Sequence, residues 1–303
     1  MNLAGYLGEE IAKIPKIVSK QYSEARSSGV QIRGGWATGS GDSFAAALAL
    51  QYMSGFSFTA VDPLELCEAS ATSIEQLVAI SVKGRTVKVV EASRFLADRG
   101  VEVIAVTSSA SSPLAAVADK VVKLVYGGGQ YPVGVGNYSA VIAALGALSG
   151  QPIDGVWEAY RAALGAPLPE LAEEVVAVGE FEGYVNALFT CLKLYEASCL
   201  PCRFYRAEQF MHAPIYSLGE KAAVLVFASS TGGYAGRISE VLEKSGCRCV
   251  FLDFGGGVLG NLVAGAAYAA RLAKAYVEKG GWEKPCFTSK RAILYESTRS
   301  IYY

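Results

Sequence analysis

Histidine is almost absent from this chain: among 303 residues there is one, His212. Imidazole is the only side chain whose unperturbed pKa lies near neutrality, so proton shuttling at pH 7 must use His212 or carboxylates and amines tuned to the task. An excess of charge is missing too. The 27 Lys and Arg stand against 28 Asp and Glu, which leaves no electrostatic footprint for nucleic acid or an acidic membrane face. Gly, Ser or a charge breaks every apolar stretch well short of the ~20 residues of a membrane span. Residues 1–20 carry Glu9, Glu10, Lys13 and Lys16 in place of the apolar run of a signal peptide. A soluble, cytoplasmic protein is expected, with neither nucleic acid nor membrane as partner. Seven cysteines, an odd number in a long chain, are not the framework of a secreted mini-domain. Cys199 and Cys202 with Cys247 and Cys249 could supply four sulfurs to zinc, but they lack knuckle spacing. They read as buried small hydrophobes, and no metal is expected. Only four Asn and three Met occur, a composition that leans towards a thermophile, where an intracellular disulfide is possible.

Hydrophobic residues are plentiful, at 52%, enough for a large core in one or two domains. Short β-branched runs alternate with longer Ala- and Leu-rich segments, which predicts an α/β fold with parallel sheets. Strands are expected at 30–37, 77–80, 101–107 and 121–125, and again at 175–179, 222–228 and 249–254. Helices are expected over 43–53, up to about 99, from 114, over 184–197 and over 238–244. The order of elements repeats, so the chain reads as two similar halves joined near Gly150 to Pro169, where Gly and Pro cluster. The expected divisions are an N-terminal helical segment (1–28), a first domain (29–150), a second (165–262), and a C-terminal helix and tail (263–303). In that tail, 292–295 reads as strand.

Two strand-to-helix turns could hold an anion, because such turns aim backbone N–H groups at one spot at the positive end of a helix dipole. One is Gly39-Ser40-Gly41-Asp42-Ser43; the other runs from Ser81 through Lys83 and Gly84 to Thr86. Neither is a Walker loop. Gly255 to Gly260 does match G-x-G-x-x-G, but only about 40 residues follow it, too few for a second βαβ unit with its acidic residue. It reads as a glycine-rich turn that permits close packing.

Taken together, these motifs resemble the SIS (sugar isomerase) phosphosugar-binding family, in particular the isomerase half of glucosamine-6-phosphate synthase and its stand-alone deaminase relatives. Gly41-Asp42-Ser43-Phe44 is similar to the family's first phosphate loop, and Ser81-x-Lys83-Gly84-x-Thr86 to its Ser-x-Ser-Gly-x-Thr loop. Leu192-Lys193-Leu194-Tyr195-Glu196 resembles Leu-Lys-Leu-Lys-Glu, and Met211-His212-Ala213-Pro214 resembles Lys-His-Gly-Pro, at the same sixteen-residue Glu-to-His interval. Lys284-Pro285 followed by Lys290 is similar to the C-terminal Lys-Pro-Arg-x-Leu-x-Lys.

The resemblance implies two three-layer α/β/α halves of flavodoxin-like or Rossmann-like type. It also implies an aldose–ketose isomerase of hexose 6-phosphates, amino sugars included, that needs no cofactor. Gly41, Ser43, Ser81, Lys83 and Thr86 would bind the phosphate. His212 would open the ring, Glu196 would carry a proton between C2 and C1, Lys193 would stabilise charge beside it, and Lys290 would approach the open-chain carbonyl. A homodimer is implied, with His212 serving the partner's pocket. Glucosamine-6-phosphate deamination and a non-catalytic phosphosugar sensor are the alternatives. The sequence departs from the family at Lys83, Phe189, Ala213 and Cys286, where the family carries serine, glutamate, glycine and arginine. With no N-terminal cysteine nucleophile and no room for a glutaminase domain, glutamine-dependent synthesis is not expected.

Overall fold

Apolar runs such as Leu77-Val78-Ala79-Ile80 and Ala222–Phe227 cannot face water on either side, and they form the centre of two parallel sheets. The structure, a computed structural model, describes residues 1–68 and 74–302. The first sheet contains β1 (Gly35–Thr38), β2 (Phe58–Ala60), β3 (Gln76–Ile80), β4 (Glu102–Thr107) and β5 (Lys120–Lys123). Its order is β2-β1-β3-β4-β5, with every neighbouring pair parallel. The second sheet contains β6 (Glu174–Gly179), β7 (Cys202–Arg206), β8 (Ala222–Phe227) and β9 (Arg248–Leu252), in the order β7-β6-β8-β9 and again all parallel. Each sheet therefore sets its first strand between its second and third. This is the expected α/β duplication. Among the described residues, no helix is long and apolar enough to cross a membrane.

The chain packs as two compact units. One holds the first sheet and comprises residues 13–129, 136–152 and 293–303; the other holds the second sheet and comprises 1–12, 130–135 and 153–292. In the first-sheet unit the helix Val87–Ala97 lays Val89, Ala92 and Leu96 on Leu77, Ala79, Val103 and Ala105. In the second-sheet unit, Ile238 and Leu242 of the helix Tyr234–Lys244 cover Val176, Val178, Val224 and Val226, and Phe210 joins the same cluster. Along the helix Leu3–Ser27, Leu3, Leu7, Ile11, Ile14 and Val18 are buried, the three-to-four spacing of one helical face.

Three local expectations are corrected. The first strand starts at Gly35 and not at Val30, because the Arg33 N–H donates to the Gln76 side chain at 2.7 Å and pairing with β2 and β3 begins only at Gly35. The span 199–209, where neither strand nor helix is expected from the sequence, contains β7 and the start of a helix, Ala207–His212. Cys202 and Ala207 are buried there, and the aromatic residues between them give an edge strand that the flanking Pro201 obscured. The expected strand at 292–295 is the start of the helix Ala292–Tyr302, in which the apolar residues recur too irregularly for a strand's period of two. Gly256, in the G-x-G-x-x-G run, does serve close packing: a Cβ there would lie 2.6 Å from the Gly155 carbonyl.

Candidate active site

The order β2-β1-β3 makes the gap between β1 and β3 a point where the chain leaves the sheet in opposite directions, and ligands of open α/β sheets bind beyond the strand ends at such a point. Both candidate phosphate turns lie there. β1 ends at Thr38, opposite Ala79 of β3, and runs through Gly39–Gly41 into the helix Asp42–Met53. A Cβ on Gly39 would come within 2.6 Å of Ser43, so the turn can close only with glycine. Gly41, at φ 58°, is the N-cap and supplies no side chain to close the helix start. Asp42 faces the buried Tyr138, whose pKa is raised well above its usual value by burial and then by that carboxylate.

The second turn follows β3. Ser81 is buried and its Oγ lies 3.0 Å from Thr86 Oγ1. Thr86 is the N-cap of the helix Val87–Ala97, yet its side chain makes no cap hydrogen bond. The turn is fixed from behind. The Val82 carbonyl accepts from the Ser108 N–H, the Ser108 hydroxyl and the Thr107 hydroxyl, and the Gly84 carbonyl accepts from the Leu114 N–H. Gly84 has φ 64°, and a Cβ there would meet Ser112 Oγ at 2.1 Å. Lys83 and Arg85 are exposed. Two helix starts without side-chain caps, with hydroxyls beside them, suit a polyanion.

The equivalent crevice of the second sheet, between β6 and β8, is filled from within. Glu182, buried at the start of the helix Glu182–Ser198, accepts from the Ser230 N–H and from Asn261 Nδ2. Glu180 accepts from the Tyr234 N–H at 3.2 Å. The chain's own carboxylates thus occupy the N–H groups that an anion would need, and they repel a second negative charge.

Further along that helix lie Lys193 and Glu196. Lys193 is fully buried, with Nζ 2.6 Å from Glu196 Oε2 and 4.9 Å from the centre of the Phe189 ring. Glu196 is 28% exposed. The carboxylate can therefore meet a ligand, while the ammonium acts on it from inside the protein. Phe189, where the family has glutamate, supplies an aromatic face to the cation.

His212 ends its helix with Nε2 2.9 Å from Glu208 Oε1, and both side chains are largely exposed. The hydrogen bond to His212, followed by one to Tyr234, holds the Glu208 carboxyl below its usual range, and Tyr234 is raised by the same bond. Glu208 was not singled out from the sequence, although its place one helical turn before His212 is a readable signal. Lys290 is exposed, with Nζ 4.3 Å from the centre of the Trp282 ring. Nothing in the residue pattern around Trp282 points to this contact. The four-sulfur set weighed from sequence is not assembled, because Cys199 is joined to Cys286 and Cys202 to Cys191 in disulfides, leaving Cys247 and Cys249 as thiols. The structure brings Ser81 to Thr86 and Lys193 to Glu196; His212 and Lys290 meet Glu208 and Trp282 instead.

Residues 37–149 match the family model of the SIS domain. No curated protein matches the chain in sequence. Among solved structures, the C-terminal domain of glucosamine-fructose-6-phosphate aminotransferase from Francisella tularensis superposes with a TM-score of 0.75 at 14% identity, covering 92% of this chain and 97% of that one. Glucosamine-6-phosphate deaminase from Thermotoga maritima gives 0.69 at 17%, covering 90% and 97%. Tagatose-6-phosphate ketose/aldose isomerase from Escherichia coli gives 0.69 at 16%, covering 91% and 94%. Residues 37–149 are thus similar to the SIS domain, and the fold throughout the chain is the one these proteins share.

Proposed function

We propose that this protein is an aldose–ketose isomerase of hexose 6-phosphates, amino sugars included. The observation that carries the reading is the contrast between the two crevices. The N-cap residues of the four helices make no side-chain cap in either crevice, but the β1/β3 crevice sets the hydroxyls of Ser43, Ser81 and Thr86 beside its helix starts, whereas in the β6/β8 crevice the carboxylates of Glu182 and Glu180 accept from the Ser230 and Tyr234 N–H groups. In this reading the phosphate sits on Ser43, Ser81 and Thr86 with the Gly41 turn, and exposed Lys83 adds long-range attraction. Glu196 takes the proton from C2 of the open-chain sugar and returns it at C1 through an enediol. That step needs a placed carboxylate and no metal. Lys193 holds Glu196 in orientation from inside, so it acts through the base and does not touch the sugar. His212 moves the proton between ring oxygen and O1 for ring opening, and Lys290 stabilises the open-chain carbonyl oxygen. The shared-site dimer implied by the resemblance is part of the proposal, and light scattering at micromolar concentration tests it.

The chemistry is tested by incubating the protein with fructose 6-phosphate, glucose 6-phosphate and glucosamine 6-phosphate in deuterium oxide. Interconversion with deuterium at C2 supports the proposal. Ammonia release from glucosamine 6-phosphate assigns the deaminase reaction to the same residues. Tight binding with neither reaction refutes catalysis and leaves a sensing module.

A further inference from the structure

The segment that carries Lys290 packs on the helix Glu182–Ser198 and is bonded covalently to the residue that follows that helix. Its start is fixed where the Glu283 carbonyl accepts from the Leu3 N–H at 3.0 Å, and where Trp282 N–H donates to the Val277 carbonyl at 3.0 Å. Beyond that point Lys290 N–H donates to the Cys286 carbonyl, and the Thr288 and Ser289 hydroxyls donate back to Pro285 and Cys286. Beneath Trp282 there is a cavity of about 350 Å³, also lined by Ser198, Leu200, Tyr276 and Lys279. Packing therefore leaves the ring side of the segment open. A covalent tie adds to the packing on the helix Glu182–Ser198. Cys286, fully buried, is bonded to Cys199 immediately after the helix that carries Lys193 and Glu196. Gly280 shapes the same corner, because a Cβ there would meet Trp282 Nε1 at 2.3 Å.

We propose that Trp282 and the Cys199–Cys286 disulfide are positioning groups for the Lys290 ammonium, so that the placement of Lys290 follows the thiol–disulfide state of that pair. The inference rests on the role given to Lys290 above. The ring face attracts the ammonium and fixes its direction, while the disulfide fixes the four-residue turn Cys286–Ser289 from which it projects.

Release has a defined chemistry. A thiolate of a dithiol reductant attacks the half-buried Cys199 sulfur, expelling Cys286 as thiolate and forming a mixed disulfide. The reductant's second thiolate then displaces Cys199 and closes its own disulfide. Two electrons pass from the dithiol to the pair, and two protons complete the Cys199 and Cys286 thiols. The other disulfide joins Cys191 and Cys202, both buried, so attack falls first on Cys199–Cys286.

The test is amine-ester labelling of the full-length protein with peptide mass spectrometry, alongside turnover of the hexose 6-phosphates. Lys244, on an exposed helix face, serves as internal reference. Relative to Lys244, Lys290 labelling is expected to rise about threefold or more after dithiothreitol treatment. The same rise is expected in Cys199→Ala/Cys286→Ala and in Trp282→Leu, and Trp282→Phe should restore most of the protection. In the same variants kcat should fall about tenfold while KM for the phosphosugar stays within twofold. Unchanged Lys290 labelling in the reduced wild type and in Trp282→Leu overturns the proposal, whether or not the double cysteine variant folds. Altered labelling with unaltered turnover retains the positioning device and removes Lys290 from the catalytic reading.

Discussion

Replacing Lys193 with Met separates what the buried ammonium does for the fold from what it does for the chemistry. At 2.6 Å between Nζ and Oε2, the attraction between the two charges is about 6 kcal/mol at an effective dielectric constant of 20. Bringing a lysine to full burial carries a desolvation penalty of several kcal/mol, so the two terms nearly cancel. Met fills a similar volume, keeps its contact with Phe189 and removes the penalty together with the attraction. Lys193→Met is therefore expected to change stability by no more than about 1–2 kcal/mol in either direction. Glu196→Ala is different, because it strands the ammonium inside and is expected to cost about 3 kcal/mol, the low end for a broken buried pair since Glu196 is partly exposed. Glu196→Gln keeps an acceptor for Nζ and should cost about 1–2 kcal/mol. Activity follows another order. Lys193→Met leaves the base present but loosely held, with a loss of roughly a hundredfold. Glu196→Gln removes the proton acceptor and should abolish deuterium entry at C2 while sugar-phosphate binding persists. Urea denaturation midpoints and deuterium exchange measure the two orders independently. A loss of 3 kcal/mol or more in Lys193→Met refutes the near-cancellation, and unchanged exchange in Glu196→Gln refutes the base.

Ser81→Ala should weaken phosphosugar binding by about 1–2 kcal/mol, as for one hydrogen bond to a charged group, and isothermal titration reads it directly. Gly84→Ala should destabilise by about 2 kcal/mol or more, since φ 64° and the approach of Ser112 both oppose a side chain, and thermal unfolding reports it. His212→Ala should slow turnover of cyclic substrate far more than of a substrate supplied in open-chain form, which rapid-mixing kinetics distinguish. The Glu102 carboxyl is held below its usual range by hydrogen bonds from Lys120 and Gln76. Its stabilisation is therefore complete above the ordinary carboxylate pKa and is lost as pH falls through the lower folded value. Glu102→Gln should flatten the acid limb of stability against pH, with little effect on that slope above pH 6.

Strand positions were legible wherever both faces of the sheet are covered. Val176 to Val178 and Leu77 to Ile80 lie fully inside, and a continuous apolar run of that length has few other places to go. β2 and β7 escaped because Phe58–Ala60 is only three residues long and Arg203 and Arg206 break the apolar pattern of β7, whereas the other two edge strands, β5 and β9, keep the apolar pairs Val121-Val122 and Val250-Phe251. The turns at Gly39–Ser43 and Ser81–Thr86 were readable because glycine, hydroxyl and helix start coincide within six residues. The contacts of His212 and Lys290 were less so. The disulfide partner of Cys199 lies 87 residues away, and nothing in the spacing of seven cysteines singles out Cys286 over Cys202. Two disulfides also bear on location, since cytosolic disulfides persist chiefly in hyperthermophiles. The expectations of a thermophilic source and of a cytoplasmic location thus stand or fall together.

A duplicated sheet supplies two crevices, but a monophosphorylated sugar offers only one phosphate. If both crevices left their loop and helix-start amides open, the proposed substrate would have two competing modes of binding, and only one would bring C1 and C2 to the proposed base. Glu180 and Glu182 remove the second mode by satisfying the amides of the Ser229–Tyr234 turn with the protein's own negative charge. The same device fixes the helix Glu182–Ser198 at its first turn, because Glu182 is bound both to Ser230 and to Asn261, which in turn holds the Ala228 carbonyl. A helix anchored at its start can carry a carboxylate four turns later with little freedom, and Lys193 removes much of what is left by binding Glu196 from the buried side. In the proposed assignment, closing one anion site and holding the base in place are therefore a single structural act, with the phosphate left to the turns at Gly39–Ser43 and Ser81–Thr86 and the proton transfers to Glu196 and His212.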